Sequence, residues 1–129
     1  MNIPEDIKYT KDHEWVRVDG DVALIGITDY AQDQLGEIVF VEFPQEGEEF
    51  TKGEAFGVVE SVKSVNDVFL PLSCKIRELN DPLSDSPEIL NDDPYGEGWM
   101  VKVEILDSSE LNDLLSAQEY ESYIKEELE

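Results

Sequence analysis

Apolar residues recur at alternate positions over much of this chain, which predicts strands with one covered face. Lys8-Tyr9-Thr10-Lys11-Asp12-His13-Glu14-Trp15-Val16-Arg17-Val18 and Val22-Ala23-Leu24-Ile25-Gly26-Ile27 alternate on either side of Asp19-Gly20, the signature of a tight hairpin turn. Ile38-Val39-Phe40-Val41-Glu42-Phe43 is apolar on both faces, as expected of a strand buried between layers. Two runs rich in Val, Phe and Leu flank Glu60-Ser61-Val62-Lys63-Ser64 and predict a second hairpin over about 55–72, with Lys63 at its tip. Leu70-Pro71-Leu72 and Lys75-Ile76-Arg77-Glu78-Leu79 read as two short strands about a Ser73-Cys74 turn, and Trp99, Val101, Val103 and Ile105 fall at period two. Strands this short and evenly spaced predict a sandwich or barrel.

The alternation breaks where helices and turns are expected. Thr28 is placed to cap a short helix, with Asp29 in its first turn and Gly36 just past its end. Pro44-Gln45-Glu46-Gly47 and Lys52-Gly53 are turns, and Asn80 to Leu90 is a loop with a helical turn at Pro87-Glu88-Ile89-Leu90. Asn91-Asp92-Asp93-Pro94-Tyr95-Gly96-Glu97-Gly98-Trp99-Met100 is a turn-rich loop leading into the last strand. Spacings like those of capping boxes at Asp107-Ser108-Ser109-Glu110 and Ser116-Ala117-Gln118-Glu119 predict two consecutive helices, Ser109 to Leu115 and Ala117 to about Leu128. Their stripe of Leu111, Leu114, Leu115, Tyr120 and Ile124 is expected to pack on the sheet, with no site on it.

Composition narrows what such a chain does. Its 129 residues suit one domain, and no apolar run approaches the roughly 20 residues of a membrane-spanning helix. Met1 to Asp6 lacks the basic start and apolar stretch of a secretory signal and the Arg-rich character of a transit peptide, so a cytoplasmic location is expected. A formal charge of −23 should repel nucleic acid phosphates and anionic membranes, leaving neither as an expected partner. The same excess serves either solubility or steering toward basic docking patches. One cysteine, Cys74, and one histidine, His13, far apart in sequence, make no internal disulfide and no spaced metal cluster.

Lys63 is the only lysine between Lys52 and Lys75, so the second hairpin presents one isolated amine on a stiff support. A lysine in a turn is ordinarily just solvated. Its neighbours argue for more: Glu60-Ser61-Val62-Lys63-Ser64 resembles the lipoylation site of the glycine cleavage H-protein family, small carriers that bear lipoic acid in amide linkage to one lysine. Four further blocks resemble that family in the same order. They are His13-Glu14-Trp15, the stretch from Gly26-Ile27 to Glu37-Ile38-Val39, Asn91 to Met100, and Leu114-Leu115-Ser116-Ala117-Gln118-Glu119-Tyr120.

The resemblance implies a mainly β, barrel-sandwich hybrid of two antiparallel sheets with a short internal helix and a helical C-terminus. It implies that Lys63 is acylated by lipoate through a lipoate ligase or lipoyl transferase, loses its charge and gains a dithiolane on a long flexible arm. It further implies that the aminomethyl group of glycine passes from a pyridoxal-phosphate-dependent glycine decarboxylase (P protein) to a tetrahydrofolate-dependent aminomethyltransferase (T protein). Dihydrolipoamide dehydrogenase (L protein) then reoxidises the dithiol, and the carrier itself is not an enzyme. In the family the loaded arm folds into a cleft where the residues matching Glu14 and Asp67 hold the amine, since carboxylates stabilise a cation and enclosure keeps water from the labile bond. Asp12 stands where the family often has Ser, and either strengthens that amine site or changes its rim. Cys74 stands where the family usually has Gly, so a slightly altered or strained turn is expected, with no effect on the lipoyl chemistry, although an exposed thiol there could exchange with the arm's sulfurs. Two other readings of Lys63 stay open. One is a relay passing lipoate to other enzymes. The other is a biotinyl carrier, disfavoured because that lysine usually sits between methionines and Lys63 sits between Val62 and Ser64.

Overall fold

The computed structural model describes residues 1–128 of the chain. Among them nine strands form two open antiparallel sheets. The larger runs β1-β2-β3-β9-β8-β5, with β1 Lys8–Tyr9, β2 Glu14–Asp19, β3 Val22–Ile27, β5 Glu49–Phe50, β8 Cys74–Leu79 and β9 Val101–Ile105. The smaller runs β4-β6-β7, with β4 Ile38–Glu42, β6 Ala55–Ser61 and β7 Val65–Phe69. The expected mainly β, two-sheet architecture is therefore present, although neither sheet closes on itself. Val16, Ile25, Val59, Leu72, Ile76 and Val103 are buried in one shared core, each contributing roughly 1.5–3 kcal/mol by leaving water. A second cluster gathers Tyr9, Trp15 and Tyr120 beside the C-terminal helix.

Helix α1 (Asp29–Leu35) joins the sheets and has the expected ends: Thr28 Oγ1 accepts from the Ala31 N–H, and Gly36 closes the helix at φ 78°. The Asp19-Gly20 hairpin also forms, with Gly20 at φ 65°.

Elsewhere the chain departs from the pattern. Lys8 to Val18 is not one strand, because a turn at Thr10–His13 folds β1 back on β2 and sets Tyr9 opposite Trp15. Thr10 drives that turn: its Oγ1 accepts from the N–H groups of Asp12 and Glu14, and His13 takes a left-handed φ of 69°. β4 is not buried on both faces. A bulge between Ile38 and Phe40 leaves Val39 and Phe40 exposed on a sheet face that nothing covers.

Cys74 lies in no turn. It opens β8 opposite Phe50 and Ile105, is fully buried, and has no positive φ, so the expected strain and exposed thiol are both absent. Burial pushes that thiol up to about 12, which removes it from disulfide exchange. Leu70-Pro71-Leu72 forms no strand; it is the buried turn that leads into β8. The loop from Asn80 holds two helical turns, α2 (Pro82–Asp85) and α3 (Ile89–Asp92), which bury Leu83 and Leu90. At the C-terminus the first expected helix is a 3-10 segment, Ser108–Asp113, and the second is α4 (Ala117–Leu128).

Candidate functional site: a lysine-tipped hairpin beside an acidic cavity

Ser61 shapes the tip of the β6–β7 hairpin. Its N–H donates to the Ser64 carbonyl at 2.8 Å, and its Oγ accepts from the Ser64 N–H at 3.2 Å. The Val62 N–H donates to the Glu37 carbonyl at 3.0 Å, fastening the tip to the segment after α1. Asn91 braces that segment from below: its Nδ2 donates to the Gly36 carbonyl, and its Oδ1 accepts from the Ile38 N–H. Lys63 is held at its backbone and free at its end. It is exposed, and among the described residues its amine joins no ion pair. Its Cε lies 3.6 Å from where a Cβ would stand on Gly36, so the side chain runs over the end of α1.

Beyond that end a cavity of about 510 Å³ opens between the Thr10–Glu14 turn, α1, β7 and α4. Asp12, Glu14, Tyr30, Leu35, Asp67 and Tyr123 are among its walls. Lys63 does not line it. An unmodified lysine therefore stops short of the cavity, whereas a longer group on Nζ has α1 as a track toward it. On geometry alone, an exposed unpaired amine beside an amine-compatible cavity fits a covalently extended lysine.

Glu14 is the most unusual wall residue. It is 3% exposed, accepts from Thr10 Oγ1 at 2.8 Å on one oxygen and from the Phe69 N–H at 3.3 Å on the other, and among the described residues joins no ion pair. Burial pushes its carboxyl up to about 7 despite those two hydrogen bonds, and the charge of Asp12 adds to the rise. A cation entering the cavity would reverse this by favouring the ionised form. Asp12 stands exposed at the rim of the turn. The register sets Asp67 opposite Val58, whose other neighbour is Glu42. Alternation along β7 therefore turns its carboxylate away from the face of Val59, and its contribution to the cavity is main chain.

None of the stripe residues Leu111, Leu114, Leu115, Tyr120 and Ile124 lines the cavity, but two other residues of α4 supply part of its wall. Tyr123 and Glu127 of α4 line the cavity with His13 and Tyr30. His13 anchors them, with Nδ1 2.9 Å from the Tyr120 hydroxyl and Nε2 3.3 Å from the Glu127 carboxylate. Burial lowers the His13 pKa, partly offset by Glu127. The signal for these residues was a helical spacing, Tyr120, Tyr123 and Glu127, in which only the apolar members suggested packing.

Residues 7–127 match the family described as Glycine cleavage H-protein. The chain is 52% identical over 126 residues to the glycine cleavage system H protein of Halothermothrix orenii, covering 98% of both chains. It is 55% identical over 125 residues to the probable glycine cleavage system H protein of Haloarcula marismortui, covering 97% of this chain and 98% of that one. The crystal structure of a glycine cleavage system H protein from Mycobacterium marinum superposes with a TM-score of 0.84 at 41% identity, covering 92% of this chain and 95% of that chain.

Proposed function

The chain belongs to the glycine cleavage H-protein family, and from that premise we propose that it is a single-domain carrier lipoylated on Lys63. It moves the aminomethyl group of glycine from the P protein to the T protein, with the L protein restoring the disulfide and a lipoate ligase or lipoyl transferase attaching the cofactor. It acts as a co-substrate that its partners turn over, not as an enzyme, and its setting is the cytoplasm. The observation that carries this reading is the pairing of an exposed, unpaired Lys63 with a cavity that the bare side chain does not line.

When attached, lipoate supplies a disulfide that accepts the aminomethyl group. Everything else falls to the chain's own residues. The hairpin fixes the base of the arm through Ser61 and Glu37. Glu14, about half protonated at neutral pH while the cavity holds no cation, releases its remaining proton to solvent when an ammonium arrives and then holds that ammonium as a buried ion pair. Asp12 adds negative potential at the rim, and the main chain at Asp67 closes the wall on the β7 side. Tyr30, Tyr123 and His13 keep water out and offer ring faces to a cation.

The test is a mass spectrum of the peptide around residue 63, taken from cells that make lipoate. A lipoyl adduct on Lys63 is expected. A bare lysine in a protein that still supports glycine cleavage would sink the reading, and a biotinyl mass would replace it.

A further inference from the structure

Among the described residues His13 is the one non-glycine residue with a left-handed φ, a conformation that needs support from its surroundings. Main chain and ring both supply it. The His13 N–H donates to the Thr10 carbonyl at 3.1 Å, and the His13 carbonyl accepts from the Thr28 N–H at 3.0 Å. The ring belongs to a polar chain whose direction the fold dictates. Thr28 is fully buried and its Oγ1 already accepts from the Ala31 N–H, so its own hydrogen goes to its other partner, the Tyr120 hydroxyl 2.7 Å away. Tyr120 then donates to Nδ1 of His13 at 2.9 Å, which leaves Nδ1 bare and puts the ring hydrogen on Nε2. Nε2 lies 3.3 Å from the Glu127 carboxylate. A backbone N–H in the first turn of α1 thus sets the tautomer of a histidine and, through it, a contact to the last turn of α4.

We propose that His13 is a positioning residue of the amine site, working as the neutral Nε2–H tautomer that ties the far end of α4 to the Thr10–Glu14 turn. The proposal rests on the reading of the cavity as the seat of the loaded arm. Three walls meet at this ring. It stands between Asp12 and Glu14 in the turn, reaches the N-cap of α1 through Tyr120, and faces Glu127 of α4. It also packs on Tyr30 and Tyr123, with ring centroids 4.7 Å and 6.0 Å away. Past the buried Ile124, α4 has little else to seat it, since Lys125, Glu126 and Glu127 are exposed. The Glu127 side chain is 33% exposed, where a charge is screened, so its part is to accept the Nε2–H and not to pair with the amine. Without that tie the last turn frays, as helix ends do, and water reaches the labile bond of the arm.

The experiment uses the full chain, and His13 is its only histidine, so the ring nitrogens give one unambiguous set of NMR signals. In the unlipoylated protein at about pH 8 they should show a protonated Nε2 and a bare Nδ1. His13→Asn keeps a residue tolerant of left-handed φ and an acceptor for Tyr120 but falls short of Glu127. In that variant, still unlipoylated, the amides of Glu126 and Glu127 should exchange about three- to tenfold faster, the scale of one lost hydrogen bond. Once loaded by the P protein, it should release its one-carbon unit faster than wild type by about the same factor. Glu127→Ala removes the acceptor from an exposed position, where the fold is not at risk, and should match His13→Asn. Glu127→Gln, whose amide oxygen still accepts from Nε2, should stay within about twofold of wild type on both readouts. Val103→Ala, a core truncation that does not border the cavity, should lower stability and change neither. A hydrogen on Nδ1, unchanged exchange in His13→Asn and Glu127→Ala, or a loss in Glu127→Gln equal to that in Glu127→Ala overturns the proposal. So does a loaded Val103→Ala protein that decays as fast as His13→Asn, because lost stability alone then explains the effect. Failure of the underlying reading looks different: the loaded wild type itself loses its one-carbon unit no more slowly than a loaded lipoamide free in solution.

Discussion

Oε2 of Glu14 accepts a hydrogen bond from the backbone N–H of Phe69 at 3.3 Å, joining the start of β2 in the larger sheet to the last residue of β7 in the smaller one. The same carboxylate is buried and borders the cavity, so one side chain both links the sheets and offers the amine its counter-charge. Glu14→Ala removes both. Lipoylation of Lys63 is expected to proceed as before, because the hairpin tip uses none of the contacts of Glu14. The loaded aminomethyl carrier should decay about ten- to a hundredfold faster, the scale of one lost charged hydrogen bond of roughly 1.5–3 kcal/mol. Following release of the one-carbon unit from the isolated loaded protein measures this, and an unchanged lifetime would remove Glu14 from the amine site.

The raised pKa of Glu14 predicts a pH dependence with a definite sign. Folded Glu14 keeps its proton up to about 7, whereas its ordinary value is 4.5. Between those values the unfolded chain binds fewer protons than the folded one, so the contribution of this group to stability falls as pH rises. Relative to Glu14→Gln, the wild type should lose roughly 3 kcal/mol at most on going from below 4.5 to above 7. Denaturant melts of the two proteins across that range give the difference directly and cancel the repulsion shared by the other acids. A difference that does not change with pH would show that the carboxyl ionises normally in its burial site.

Lys63→Arg keeps the positive charge and the turn but places a guanidinium where a nucleophilic amine is needed. The fold should be unchanged, since Lys63 contributes no ion pair among the described residues. Carrier activity should vanish. The checks are a thermal melt within about a degree of wild type and glycine decarboxylation by the partner enzymes at background level. Normal turnover by this variant would break the link between the lysine and the function.

Much of this was legible because short-range chemistry agreed with the fold. Asp19-Gly20 and the Thr28–Gly36 helix ends became what their residues predict, since each is decided by a local φ or a capping hydroxyl. Lys63 at a hairpin tip was legible for the same reason. What failed was longer-range. The apolar run from Ile38 to Phe43 looked buried because composition does not reveal that a bulge and an uncovered sheet face leave Val39 and Phe40 in solvent. Cys74 looked like a turn residue because its place in the sheet is set by distant strands, β9 with Ile105 on one side and the two-residue β5 with Phe50 on the other. The cavity was legible only in part. Glu14 and Asp12 lie in one turn, but the wall supplied by Tyr123 and Glu127 depends on how α4 packs some hundred residues later.

Two glycines separate packing from backbone as reasons for having no side chain. A Cβ on Gly26 would stand 2.7 Å from Nε1 of the fully buried Trp15, whose indole N–H donates to the Pro94 carbonyl at 2.9 Å. The ring has no room to retreat without losing that bond, so Gly26→Ala should cost roughly 1–3 kcal/mol by overpacking. Gly20 meets nothing within 4 Å, but its φ is 65°, so Gly20→Ala should cost about 1 kcal/mol through the left-handed backbone alone. Replacing Trp15 by Phe alongside Gly26→Ala should recover part of the first loss, because the smaller ring frees the space that the new methyl needs. It should recover none of the second. Chemical denaturation of the two single variants, the Trp15→Phe protein and both combinations decides it: equal recovery at both glycines, or none at Gly26, would mean that the Trp15 contact is not what excludes a side chain there.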